Sequence, residues 1–186
     1  MFPPLPRSRY SILYADPPWS YYGDPNKDQA AGKYYSCLPL GDLATLRVET
    51  ITAKPAVLFL WATCPKLLDA VRLMSAWGFH YRGVAYIWVK TTRAGGIISG
   101  QGIRPSFVKP TCELVLVGST AKTGRPFPLL TEGQGQVVLA SRGAHSEKPA
   151  VVRERIVELL GDRPRIELFA RHRVPGWAAW GLEVPR

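Results

Sequence analysis

Asp16-Pro17-Pro18-Trp19 is the stretch of this sequence best equipped for chemistry. It directly follows Tyr10-Ser11-Ile12-Leu13-Tyr14, an apolar run that reads as a buried strand. That places it at the carboxyl edge, where α/β folds hold ligands. A carboxylate beside a backbone carbonyl suits the activation of an aromatic amine. The amino nitrogen of such an amine is a poor nucleophile because its lone pair is delocalised into the ring. Two acceptors for its N–H protons would polarise it and turn that pair towards an electrophile. Pro17 and Pro18 stiffen the turn and, lacking N–H donors, leave carbonyls free to accept. Trp19 can stack on a base drawn out of a helix. The same four residues also fit a plain strand-ending turn, where Asp-Pro is common. The strand before them favours the chemical reading.

Other candidates are weaker as residues alone. Lys148 precedes Pro149 at a helix start, so a cation and a helix N-terminus meet there. Together they suit the carboxylate of an amino-acid-like cofactor, although a solvated lysine satisfies the pattern better. Arg171 and Arg173 follow the last strand, where a cofactor ribose or carboxylate can lie, but equally fit surface charges. Glu113 opens a strand and can face the cleft, while most such glutamates are solvated. His80 and His145 are isolated, which argues against a metal site. Gly95-Gly96, Gly100 and Gly102 have no strand–turn–helix around them and form no dinucleotide fingerprint; they let a loop move over a substrate. The three cysteines, Cys37, Cys64 and Cys112, are scattered, odd in number and without a Cys-x-x-Cys pair. That argues against a disulfide framework and a zinc site and fits a reducing cytoplasm.

Lys and Arg number 24 against 14 Asp and Glu, a net charge of +10, with a pI near 9.8. Such a surface is matched to a polyanion, because each neutralised phosphate releases counterions. Many of the basic residues fall in loop-like stretches: Arg93, Arg104, Lys109, Lys122, Arg125 and Arg142. No apolar run reaches membrane-spanning length, and Met1-Phe2-Pro3-Pro4-Leu5-Pro6 is no signal peptide, so the expectation is a soluble intracellular protein.

The elements that must position these residues follow from pattern. Strands are expected over 10–14, 56–61, 79–89, 113–117, 137–140 and 165–170. Helices are expected over 40–47, from Pro65 with Leu67, Val71, Met74 and Trp77 in step, and from Pro149 with Val152, Ile156 and Leu159 on one face. Continuous apolar strands flanking helices imply an α/β fold whose mostly parallel sheet is covered on both faces. With 186 residues and no linker or repeat, one domain over 1–186 is expected. Segments 20–38, 91–110 and 119–135 are polar, Gly-containing and aperiodic, and are expected to be substrate-binding loops.

Seven spaced stretches resemble the MT-A70-like family of adenine-N6 methyltransferases, from about residue 10 to 185. They are Ala-Asp-Pro-Pro-Trp (15–19), Phe-Leu-Trp-Ala-Thr (59–63), Ile-Trp-Val-Lys (87–90), Glu-Leu-Val-Leu-Val-Gly (113–118), His-Ser-Glu-Lys-Pro (145–149), Ile-Glu-Leu-Phe-Ala-Arg (166–171) and Gly-Trp-Ala-Ala-Trp-Gly (176–181). The resemblance implies a permuted Rossmann-like fold, with the catalytic motif ahead of the cofactor-binding strand, and S-adenosylmethionine as cofactor. It makes Asp16, Pro17, Pro18 and Trp19 catalytic and puts Tyr35 in a loop near cofactor and base. It places Glu113 and Ser146 near the target adenine, Lys148 on the cofactor carboxylate and Arg171 near its ribose. The family commonly has Asn before Gln or Glu near its C-terminus; here Leu182-Glu183 leaves Glu183 to accept from the ribose.

The expected function is therefore methylation of the N6 amino group of adenine in DNA, in a phage or bacterial setting, by direct displacement with base flipping. RNA methylation is the alternative of the same chemistry, and a catalytically inert nucleic-acid-binding subunit that of another class; a homodimer is expected to read several base pairs. Asp16, Trp19 and Lys148 are all present, against the inert alternative. Cytosine C5 methylation needs a nucleophilic cysteine beside proline, and Cys64-Pro65 has no supporting motif.

Overall fold

The computed structural model describes residues 2–20, 37–98, 107–143 and 147–184. Seven strands form one sheet: β1 (Tyr10–Ala15), β2 (Thr52–Thr63), β3 (His80–Thr91), β4 (Cys112–Ser119), β5 (Val137–Ser141), β6 (Arg165–Leu168) and β7 (Ala178–Trp180). Their order across the sheet is β5-β3-β4-β2-β1-β6-β7. β1, β2, β6 and β7 pair in parallel, as do β3 and β5, while β4 runs antiparallel to both β2 and β3. β3 therefore ends and β4 begins at the same edge of the sheet. Reversal of β4 puts its first residues, Glu113 included, beside the carboxyl ends of the parallel strands.

Side chains alternate across each strand and divide the core into two layers. On one face Leu13, Leu58, Leu60, Leu116, Ile166 and Leu168 pack against α1 (Leu40–Ala44) and α2 (Leu67–Ala76), whose Leu43, Ala70, Leu73 and Met74 are buried. On the other, Ile12, Tyr14, Phe59, Trp61, Tyr86, Trp88 and Val115 pack against Val152, Ile156 and Leu160 of α3 (Ala150–Leu160). Leu160, one residue beyond the expected Leu159, completes the α3 stripe at 4% exposure. α1 is shorter than expected and gives way to a 3-10 turn at Val48–Thr50. Strand β7 was not expected: three residues are too few to show a period, and it adds to the sheet only by pairing with β6.

The expected substrate loop 119–135 is corrected by the reversal of β4. Ser119 pairs with Val57 and His80, near the start of the parallel strands. The segment leaves β4 there and packs Leu130 against the end of α3 through its N–H to the Leu159 carbonyl. Lys122 and Arg125 are exposed but lie across the sheet from Asp16. The fold places Asp16 at one edge and this basic loop at the other.

Candidate active site

At the carboxyl edge the α3-facing layer changes from apolar to charged. Tyr14 and Asp16 share a face of β1, Trp61 and Thr63 a face of β2, Trp88 and Lys90 a face of β3, and Glu113 pairs directly with both Thr63 and Trp88. Lys148, one residue before the Pro149 cap of α3, reaches into this row. Its Nζ donates to Asp16 Oδ2 at 2.7 Å and lies 3.4 Å from Glu113 Oε2. Lys90 Nζ donates to Glu113 Oε1 at 2.5 Å. The result is a chain of alternating charge, Asp16–Lys148–Glu113–Lys90. The lysine that its own residues left as solvated has a side chain only 8% exposed.

Burial and charge pull against each other along this chain. Burial pushes the Asp16 carboxyl above its ordinary value, with Lys148 opposing it incompletely. Burial acts in the same sense on Glu113, but Lys148 and Lys90 outweigh it and hold that carboxyl low. Burial alone would depress the Lys148 ammonium; Asp16 and then Glu113 overcome this and raise it. The two cations thus favour the ionised form of Glu113, while the Asp16 carboxyl is left more easily protonated than a free aspartate.

The Asp16–Trp19 turn is closed by its own backbone. The Pro17 carbonyl accepts from Trp19 N–H and the Pro18 carbonyl from Leu38 N–H, both at 2.8 Å. The prolyl carbonyls are therefore not wholly free, as expected from sequence, although each oxygen keeps a second lone pair. Trp19 is 6% exposed, packed in the α1–α2 layer. This corrects its expected role as a stacking platform: in this structure its ring is a foundation for the turn. Its indole N–H donates to the Trp61 carbonyl at 3.2 Å.

Trp61 connects these parts, and no role had been expected for it. Its carbonyl holds Trp19, its Nε1 donates to the Tyr14 hydroxyl at 2.6 Å, and Lys148 Nζ sits 5.4 Å from its ring centroid. Below it Arg153 of α3 pairs with Glu167 of β6 at 3.2 Å and lies 5.9 Å from the Tyr14 ring. Burial pushes Glu167 upward against Arg153. Lys90, Trp61, Arg153 and Glu167 were missed because their hydrophobic neighbours mask them in sequence. For Lys90, Trp61 and Glu167 the alternation of each strand was the available signal, since they fall on the α3-facing positions; Arg153 lies on α3 itself.

The remaining expected residues divide. Arg171 follows β6 and lies 3.8 Å from Glu183, both at the same strand edge. Phe169, with φ 62°, turns the chain there, and Gly181 lies so close that an added Cβ would meet the Ala170 carbonyl at 2.1 Å. Arg173 and Lys109 are exposed. Tyr35, Ser146 and Arg104 lie outside the described residues. Among the described residues no group of His, Cys, Asp and Glu could hold a metal, and no helix is long and apolar enough to cross a membrane.

The donor set fits an amino-acid-bearing nucleoside. Lys148 and the uncapped N-terminus of α3 can meet a carboxylate, the Asp16 and Glu113 carboxylates an ammonium, and Arg171 with Glu183 ribose hydroxyls. A sheet with one reversed strand, a carboxylate-Pro-Pro-Trp turn at its carboxyl edge and such a set beside it defines a Rossmann-like amino-methyltransferase. The MT-A70 family profile matches residues 10–183, and the chain belongs to that family of adenine-N6 methyltransferases.

Individual relatives agree. The chain is 35% identical to the type II methyltransferase M.MunI of Mycoplasma sp, over all of this chain and 82% of that protein. It is 28% identical to the N6-methyladenosine RNA methyltransferase MTA1 of Pyricularia oryzae, over 94% of this chain and 47% of that one. It is 26% identical to the human N(6)-adenine-specific methyltransferase METTL4, over 96% and 38% respectively. The chain thus spans less than half the length of the two eukaryotic relatives.

Proposed function

We propose that the protein transfers the methyl group of S-adenosylmethionine to N6 of adenine in DNA, in the cytoplasm of a bacterial or phage-infected cell. The observation that carries this reading is the Asp16 carboxylate, fixed by Lys148 at the carboxyl edge beside the Pro17 carbonyl. Asp16 accepts one amino N–H of the base, and the remaining lone pair of the Pro17 carbonyl accepts the other. With both protons held, the nitrogen lone pair points away from the ring plane. Glu113 lies next to Asp16 across Lys148 and contacts the base from the β4 side.

The cofactor supplies a methyl group made electrophilic by its sulfonium. Lys148 and the α3 N-terminus hold its carboxylate, Lys148 sharing its donors between that group and Asp16. Arg171 and Glu183 take the ribose. Once the new bond has formed, the amino proton is acidic and leaves to solvent, so no dedicated base is needed. Placement and fixed charge carry the acceleration.

DNA is preferred to RNA because the type II methyltransferase, a DNA-modifying kind, matches the whole chain at 35% identity, against 28% for the RNA enzyme. Exposed Lys109, Arg93 and Arg142 stand at the catalytic edge to meet phosphates. The test is transfer of labelled methyl from S-adenosylmethionine onto matched DNA and RNA oligonucleotides containing adenine. Label in DNA at N6 is expected. Preferential labelling of RNA overturns the choice of DNA, and failure to bind S-adenosylmethionine overturns the enzymatic reading in favour of an inert subunit.

A further inference from the structure

Cys64 and Cys112 are 48 residues apart in sequence, yet their Sγ atoms lie 3.9 Å apart. The β2–β4 ladder explains why. Its register ends at Thr63↔Glu113, so the next facing positions are Cys64 and Cys112. Facing residues in an antiparallel ladder have Cα atoms about 4.5–5.5 Å apart, inside the span of about 4.4–6.8 Å that a disulfide bridges. The sulfurs must approach by about 2 Å to bond. Cys64 is exposed and begins a 3-10 turn, so its side chain has room to rotate; Cys112 is half-buried.

The pair flanks the site. Cys112 is bonded in sequence to Glu113, whose carboxylate holds Lys90 and Lys148. The Thr111 carbonyl, on the other side of Cys112, accepts from Lys90 N–H. Any shift of Cys112 is therefore felt at both Glu113 and Lys90. Burial, and then the neighbouring Cys112 and Glu113, hold the Cys64 thiol up.

We propose that Cys64 and Cys112 form a redox-modification site, at which a peroxide or a small disulfide closes an internal disulfide that pulls on the start of β4 and lowers methyl transfer. With hydrogen peroxide, one cysteine sulfur, as its thiolate, attacks a peroxide oxygen. The O–O bond breaks, water leaves and a sulfenic acid forms. The second thiolate displaces hydroxide from that sulfur and the S–S bond closes. Two thiols are oxidised and one peroxide is reduced to two waters, which carry away both thiol protons. With oxidised glutathione, exchange through a mixed disulfide releases two glutathione thiols instead. The bond ties the end of β2 to the strand that carries Glu113, on the sheet face opposite the charged chain.

The effect on transfer rests on the function proposed above, whereas the bond itself does not. The full chain is reduced, exposed to hydrogen peroxide or oxidised glutathione, alkylated, digested and read by mass spectrometry. A cross-linked Cys64–Cys112 peptide is expected, two hydrogens lighter than the reduced pair, with Cys37 alkylated. Transfer to DNA is expected to fall several-fold, to recover with dithiothreitol, and to resist oxidant in Cys64→Ser. Absence of the 64–112 cross-link while Cys37 oxidises overturns the site. A cross-link that leaves transfer unchanged overturns its coupling to Glu113. If no transfer is seen before oxidation, the function proposal fails and the cross-link alone decides the site.

Discussion

The same strands build two unlike layers. Leu13, Leu58, Leu60 and Leu116 face α1 and α2 in a layer of apolar side chains, all with 0% exposure. One position along each strand, Tyr14, Trp61, Trp88 and Val115 face α3, among aromatic rings and the Arg153–Glu167 pair. Continuing that second alternation by two residues reaches Asp16 on β1 and Lys90 on β3, and going back two from Val115 reaches Glu113 on β4. A period of two thus separates a layer that holds the fold from a layer that holds charges in place. Buried charges destabilise unless paired, so the α3 layer keeps its groups only because each has an opposite neighbour.

Substitutions in the two layers should therefore fail differently. Lys148→Met removes the cation between Asp16 and Glu113 and should lower methyl transfer roughly a hundredfold, measured as kcat on a DNA oligonucleotide. Leu60→Ala, in the apolar layer, should cost about 2–5 kcal/mol of stability in denaturant titration, with kcat per folded molecule unchanged. A large loss of kcat per folded molecule would erase the division between layers. Arg153→Met leaves Glu167 without its partner and should destabilise by about 3 kcal/mol; in Arg153→Met with Glu167→Gln most of that loss should return, because the uncompensated charge is gone.

The smallest effect is in pH dependence. Asp16 must be ionised to accept an N–H, and its carboxyl lies above the ordinary 3.8. The acid limb of kcat against pH should accordingly lie above 3.8. Lys148 favours the ionised Asp16, so the limb of the residual activity in Lys148→Met should move to higher pH. Movement to lower pH would show that another group controls transfer.

Much of this was legible because it depends on local pattern. Ile12-Leu13-Tyr14 and Leu58-Phe59-Leu60 read as buried strands, and Leu67, Val71 and Met74 as a helix face, from neighbours within a few residues. The Asp16–Trp19 turn was legible for the same reason, being fixed by two prolines directly after a strand. What was not legible depends on partners remote in sequence. Lys148 reaches Asp16 across 132 residues, which turns an apparent surface cation into a buried one. The reversal of β4 brought Glu113 to the site and carried the 119–135 loop away from it. The same register joined Cys64 to Cys112, which the sequence showed only as scattered thiols. Trp19 was legible as a member of the motif, but its burial beneath the turn was set by α1 and α2 packing.

Asp16 is where the charged layer meets the Pro17-Pro18 turn, so its carboxylate tests the proposed function most directly. In Asp16→Asn, purified and confirmed to melt within a few degrees of the wild type, labelled-methyl transfer to adenine in DNA should fall at least about a hundredfold. Transfer within about twofold of the wild type would contradict the assignment of this carboxylate as the acceptor that activates the base.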